Sequence, residues 1–169
     1  RLSAYLTWRN FNQPEDYRYV AIRKQSGGWF PIKSLFIVFW FQAILCWIIS
    51  QPLCDAVQSK FPARVTFLDI LGALCWAVGF IFESVGDLQL ARFKKNPANK
   101  GKLLTGGLWK YTRHPNYFGN ACMFWGFFFT ACSVRNGWKT FYSPALMTFL
   151  LLKVSGVSLL EKSLSKRNP

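Results

Sequence analysis

Four stretches of the chain lack the regular polar positions that a water-facing helix needs. Residues 34–50 (17 residues) and 116–134 (19 residues) carry no charge. Residues 67–86 (20 residues) carry only Asp69 and Glu83, and residues 140–160 (21 residues) carry only Lys153. A hydrocarbon layer about 30 Å thick needs about 20 residues of α-helix to cross it. None of the four alternates with period two, which favours helices over barrel strands. The pattern predicts an all-α fold, a polytopic transmembrane helical bundle with about four membrane helices. Residues 1–33 mix apolar and charged positions ahead of the first stretch, and Pro14, Gly27, Gly28 and Pro31 break them into an interfacial N-terminal helix and loop. Pro52, Pro62, Pro97 and Pro144 are expected in the loops and at the start of the fourth stretch. There is no internal repeat, and the chain reads as a single membrane domain over 1–169.

Composition sharpens that reading. Hydrophobic residues make up 51% of 169 residues, too large a share for a disordered chain. A soluble domain of this length cannot bury four such segments. The formal charge of +14 invites nucleic-acid binding. A nucleic-acid face, however, spreads its cations over a solvated surface with readers between them. Here they stand in blocks between apolar runs, which suits an anionic membrane surface or an anionic cofactor and excludes nucleic acid as the partner. The five cysteines (Cys46, Cys54, Cys75, Cys122 and Cys132) form neither a CxxC nor a Cys/His metal spacing, so buried free thiols are expected and no metal.

The blocks also predict sidedness. Six cations precede the first stretch, seven lie in 87–115 and three follow the fourth, against four in the two remaining loops (Lys60, Arg64, Arg135 and Lys139). With four crossings, the sixteen fall on one side, as the positive-inside rule requires. Both termini and the 87–115 loop are therefore expected in the cytosol, in the endoplasmic reticulum membrane of a eukaryote or the inner membrane of a bacterium. Residue 1 is Arg, with no leader pattern, so the chain reads as an excerpt of a longer one.

The stretch from Glu83 to Asn120 carries the candidate chemistry. Ionisable groups at a membrane helix end are expensive and functional by default. Glu83, Asp87 and Lys94, spaced by four and seven, share one face of a helix that continues out of the bilayer. Carboxylates suit ligand hydroxyls and the cations suit phosphates; an interfacial helix with snorkelling cations fits the same spacing. After the Gly106-Gly107 turn, Pro115 is placed to begin the third membrane helix, because its missing N–H costs nothing there. That start points N–H groups at the interface beside Arg113 and His114, the chain's one histidine, and predicts an anion pocket. Asn116 and Asn120 lie one turn apart, with His114 and Tyr117 three residues apart beside them. No Rossmann GxGxxG, HExxH or GxSxG occurs. A nucleotide would bind in a helix-bundle cleft.

The string Gly-Gly-Leu-Trp-Lys-Tyr-Thr-Arg-His-Pro-Asn-Tyr-Phe-Gly at 106–119 resembles the steroid 5α-reductase C-terminal domain family, in its DUF1295 branch. The likeness extends to Arg-Leu-Ser-Ala-Tyr-Leu at 1–6, Asp-Tyr-Arg-Tyr at 16–19, Gly-Asp-Leu-Gln-Leu at 86–90 and Ser-Gly-Val-Ser-Leu-Leu-Glu-Lys at 155–162. The resemblance implies a membrane-embedded reductase that passes a hydride from NADPH to an activated C=C bond of a lipid or steroid-like substrate. It places Glu83, Asp87, Lys94, Asn116 and Asn120 on cofactor-holding positions, with Arg113 and His114 beside them. Tyr117 and His114 are the candidate donors to the developing enolate oxygen. Asn120 departs from the pattern, since the family position is commonly acidic and an amide transfers no proton at neutral pH.

Two other classes share these features. Isoprenylcysteine and phospholipid methyltransferases carry a similar Arg-His-Pro-x-Tyr signature at a helix mouth, where it serves S-adenosylmethionine. A non-enzymatic lipid-binding membrane protein would use the cations electrostatically and 113–117 for folding.

Overall fold

The computed structural model of the protein describes residues 1–15, 17–60 and 64–154. The end of the fourth apolar stretch (155–160), Glu161, the tail cations Lys162, Lys166 and Arg167, and Pro62 lie outside the described residues. The described residues form helices and turns and no strand, as the pattern predicts. Contacts group the chain into two compact units, Arg1–Cys46 and Trp47–Pro169.

The first unit holds α1 (Leu2–Asn10), α2 (Tyr17–Ser26), α3 (Phe30–Ser34) and the first turns of α4 (Phe41–Gln58). Gly27, at φ +52°, makes the tight turn after α2, a conformation open to glycine at little cost. Pro31 sits in the first turn of α3, where a missing N–H is harmless. The Arg23 guanidinium reaches back to Glu15 at 2.7 Å and lies 4.7 Å from the centre of the Phe30 ring. A wide π-type turn, Leu35–Trp40, joins α3 to α4.

Pro52 is expected in a loop but stands inside α4 and is buried. An interior proline strips the preceding turn of a backbone donor. Side chains fill in around it. Ser50 Oγ and Gln51 Nε2 donate to the Trp47 carbonyl at 3.0 and 2.9 Å, and Ser143 Oγ, near the start of the helix Tyr142–Phe149, donates to the Ile49 carbonyl at 2.6 Å. The carbonyl that Pro52 leaves without its usual donor is that of Ile48, so these bonds serve the carbonyls on either side of the break.

Two helical stretches, Tyr19–Gln58 and Phe67–Lys95, are long and apolar enough to cross a membrane. The latter, α5, extends nine residues beyond the apolar stretch read from the sequence. Then α6 (Pro115–Ala131) begins at the expected proline, and α7 (Tyr142–Phe149) runs into a second π-type turn, Leu150–Val154.

The centre of the second unit is the antiparallel pair α5–α6. Gly72, Gly79 and Gly86 on α5 repeat every seven residues, as do Gly119 and Gly126 on α6, and all five are buried. A Cβ on Gly72 would lie 2.7 Å from the Gly126 carbonyl oxygen, and one on Gly126 equally close to that of Gly72. The two backbones touch with no side chain between them, the small-residue packing that brings membrane helices close. Cys75 Sγ donates across the seam to the Cys122 carbonyl at 3.3 Å. The cysteines are free, but they are not the buried thiols expected: Cys46 is exposed and the other four half-buried. Cys75 and Cys122 stay half-buried because they flank the seam while glycine occupies it.

At the Thr66 end, the Asp69 carboxylate accepts from the Thr66 backbone N–H and hydroxyl, both at 2.8 Å, in a capping box. Its other oxygen accepts from Ser133 Oγ at 2.9 Å, which ties the start of α5 to the residues just beyond α6. On the far side of α6, Trp125 packs edge-on to Phe141, with ring centres 5.6 Å apart, and donates its indole N–H to Thr148 Oγ1 at 3.3 Å. This docks α7.

Candidate functional site

The expected site residues gather where α5 leaves the seam and α6 begins. On α5, Glu83 is buried (6% exposed), Asp87 is half-buried and Lys94 is exposed. Lys94 lies eleven residues beyond Glu83, about 16 Å along the axis at 1.5 Å per residue, so it belongs to the rim. Facing them, a Cβ on Gly119 would lie 2.5 Å from the Glu83 backbone N, and one on Gly86 would lie 3.1 Å from Pro115 Cγ. Glycine at these positions brings the first turn of α6 against Glu83 and Gly86.

Asn116, Tyr117 and Asn120 follow on α6, all half-buried, with His114 as the residue before the helix and Arg113 exposed on the approach. The His114 and Tyr117 rings stack with centres 5.5 Å apart and planes at 28°. The anion pocket expected at this helix start is reduced. The Tyr117 N–H is taken by the His114 carbonyl at 3.1 Å and by Asn116 Oδ1 at 3.1 Å, and the Phe118 N–H by the His114 carbonyl at 3.0 Å. The Phe118 bond is the first of the helix ladder, so the end donor that local capping takes up is the Tyr117 N–H.

Two buried polar atoms at this level, Asn120 Oδ1 and Ser84 Oγ, have no hydrogen-bond partner among the described residues. A buried polar group without a partner costs about 1–3 kcal/mol. A polar ligand or an ordered water seated here removes that cost.

The loop between the helices is pinned back on α5. Leu108 N–H donates to Gln89 Oε1 at 3.0 Å, and Trp109 Nε1 donates to the Gly86 carbonyl at 3.1 Å. Gly107, at φ +63°, lies so close to the Gln89 amide that a Cβ would clash with it. This latch fixes the approach of Arg113 and His114 to the seam.

A family profile, that of a protein of unknown function (DUF1295), matches residues 1–169. The chain belongs to the DUF1295 family. A protein described as "Probable O-methyltransferase ustE" from Ustilaginoidea virens is 52% identical over 46 residues, which are 27% of this chain and 16% of that protein. The DUF1295 chain thus matches about a sixth of the length of that curated relative. No solved structure matches the chain.

Sequence reasoning missed several parts of this DUF1295 site. The glycine seam was present as a seven-residue repeat at 72, 79 and 86 and at 119 and 126. Gln89 and Trp109 lie within the motifs that carry the family resemblance, but nothing in their spacing points to a latch. Ser84 carries no sequence signal, because only the seam shows that its hydroxyl is buried.

Proposed function

We propose that the chain is part of an integral-membrane enzyme that transfers a methyl group from S-adenosylmethionine to an oxygen of a lipid-soluble acceptor. The observation that carries this reading is the 52% identity over 46 residues with a protein described as a probable O-methyltransferase. Asn120 supports it too, since an amide can orient a cofactor but cannot protonate an enolate.

The orphaned Asn120 and Ser84 atoms fit the polar groups of a nucleoside. In this assignment Glu83 and Asp87 accept from ribose hydroxyls, Asn116 and Asn120 orient the nucleoside, and Arg113 pairs with the amino-acid carboxylate. S-Adenosylmethionine supplies an electrophilic methyl group. His114 takes the proton of the acceptor hydroxyl, and Tyr117 holds the His114 ring by stacking. Four crossings at 34–50, 67–86, 116–134 and 140–160, with the site on the cytosolic side, complete the reading.

A second reading is the NADPH-dependent reduction of an activated C=C bond in a lipid or steroid-like substrate, by likeness to the steroid 5α-reductases. The observation in its favour is the run of seven cations over 87–115, which suits a phosphate-rich dinucleotide. Calorimetry on the full-length protein in nanodiscs separates the two. S-Adenosylmethionine should bind, with Asp87→Ala and Arg113→Ala each weakening it roughly 10- to 150-fold, the loss of one charge-assisted hydrogen bond. Binding of NADPH with none of S-adenosylmethionine rejects methyl transfer.

A further inference from the structure

The cations of residues 87–115 do not all belong to the candidate site. At about 100° per residue, Arg92 and Lys95 lie on the side of α5 opposite Gly79 and Gly86, pointing away from α6. Glu83, Asp87 and Lys94 lie roughly a third of a turn round the helix from them. A ligand seated beside Glu83 therefore leaves Arg92 and Lys95 unused. The outward side also carries Ile70, Leu74, Ile81 and Leu88, all exposed. This apolar strip runs directly into the two cations. Arg92 stands about 9 Å beyond Gly86 along the axis, and Lys95 about 14 Å. Side chains on an α-helix lean toward its N-terminus, so both lean back toward the apolar strip, as long basic side chains do at a bilayer surface.

The loop after α5 adds to this surface. Lys100, Lys102 and Lys110 are exposed, and the Trp109 bond to the Gly86 carbonyl returns the loop to the end of the apolar stretch. Beside these cations stand two exposed apolar side chains, Leu103 (59%) and Tyr111 (79%). The sequence holds no carboxylate between Asp87 and Glu161. Among the described residues, none of the five cations Arg92, Lys95, Lys100, Lys102 and Lys110 forms an ion pair.

Charge and apolar exposure together select the partner. A soluble phosphate or nucleotide would satisfy the cations and leave Leu103 and Tyr111 in water. The same face of a second copy would set like charge against like. An anionic bilayer surface takes both, its headgroups the cations and its interface the apolar side chains.

We propose that Arg92, Lys95, Lys100, Lys102 and Lys110 form a surface that binds the anionic headgroups of the leaflet from which α5 emerges. This assignment rests on α5 crossing the membrane, as in the topology proposed above, and not on the reaction catalysed.

The test places the photoreactive residue p-benzoylphenylalanine at Tyr111 in the full-length protein, reconstituted in vesicles of equal parts phosphatidylserine and phosphatidylcholine. The mass of the adduct formed on irradiation tells which lipid lies there. Phosphatidylserine adducts should outnumber phosphatidylcholine adducts about fivefold or more, the factor that one cation near an anionic surface contributes. The ratio should fall toward one at about 1 M salt, where the screening length is about 3 Å. It should fall likewise when Arg92→Gln, Lys95→Gln, Lys100→Gln and Lys102→Gln are combined, whereas Arg135→Gln with Lys139→Gln should leave it unchanged. A ratio near one at low salt overturns the proposal, as does a ratio that the four substitutions do not move, or the absence of any lipid adduct. Alkaline carbonate extraction of the same vesicles reads the crossing separately. A chain released by carbonate overturns the crossing and the proposal with it, whereas a retained chain with a ratio near one overturns the headgroup surface alone.

Discussion

Gly72 and Gly126 meet backbone to backbone across the α5–α6 seam, each placed so that a methyl group on one would press on the carbonyl oxygen of the other at 2.7 Å. Neither carbonyl can withdraw without unwinding its helix. Gly126→Ala should therefore destabilise the protein by about 1–3 kcal/mol, the usual cost of overpacking. Gly106→Ala, where a Cβ meets nothing within 4 Å, should leave stability unchanged or slightly raised. Thermal unfolding of both variants in one detergent checks the contrast.

The Trp109 indole holds the 107–110 loop to Gly86 by one hydrogen bond. Trp109→Phe keeps the ring's bulk and removes the donor. A loss of about 1 kcal/mol should speed amide exchange at Leu108 roughly fivefold, since its N–H rests on the same latch through Gln89. Hydrogen–deuterium exchange over 105–112 reads this directly.

Asp69 and Ser133 close the opposite end of the seam. Asp69→Ala also removes both bonds to Thr66, so it should cost more than Ser133→Ala. A double-mutant cycle should return a coupling of about 0.5–3 kcal/mol between them. A coupling near zero would mean that the Ser133 hydroxyl rests on its other acceptor, the Thr130 carbonyl at 2.7 Å.

Tyr117 stacks on His114, and Phe would stack equally well. In the proposed methyl transfer Tyr117 acts by stacking, so Tyr117→Phe should keep turnover within about twofold of the parent. A fall of about tenfold or more with cofactor affinity unchanged would place the hydroxyl in the transition state instead, as the reductase reading has it.

The cation blocks predict that Lys100→Cys reacts with an impermeant maleimide from the cytosolic side and Lys139→Cys from the other side only. Labelling both from one side would remove the proposed topology.

The helical character of the chain was legible because apolar runs longer than fifteen residues have few alternatives. The start of α6 was legible for a local reason, a proline placed where a helix has no use for an N–H. Pro52 misled because local propensity says nothing about tertiary packing: the residue is buried, and Ser143 of α7 bonds to the Ile49 carbonyl close by. The candidate site was half legible. Glu83 and Asp87 share a face of α5, and Asn116 and Asn120 a face of α6, by simple periodicity, whereas Lys94 stands too far along α5; what brings the two pairs together is the glycine contact at Gly86 and Gly119. The reduction of the expected anion pocket depended on where the Asn116 side chain turns, which spacing alone does not fix.

The contrast between α4 and the α5–α6 pair decides where the second unit is compliant. A seam of backbone on backbone contains no rotamers to exchange, so it cannot part by small steps and α5 and α6 behave as one stiff girder. In α4, by contrast, Pro52 interrupts the backbone ladder, and carbonyls on either side of the break are bonded by the Ser50, Gln51 and Ser143 side chains. Bending therefore costs less in α4 than in the pair that carries Glu83 and Asn120.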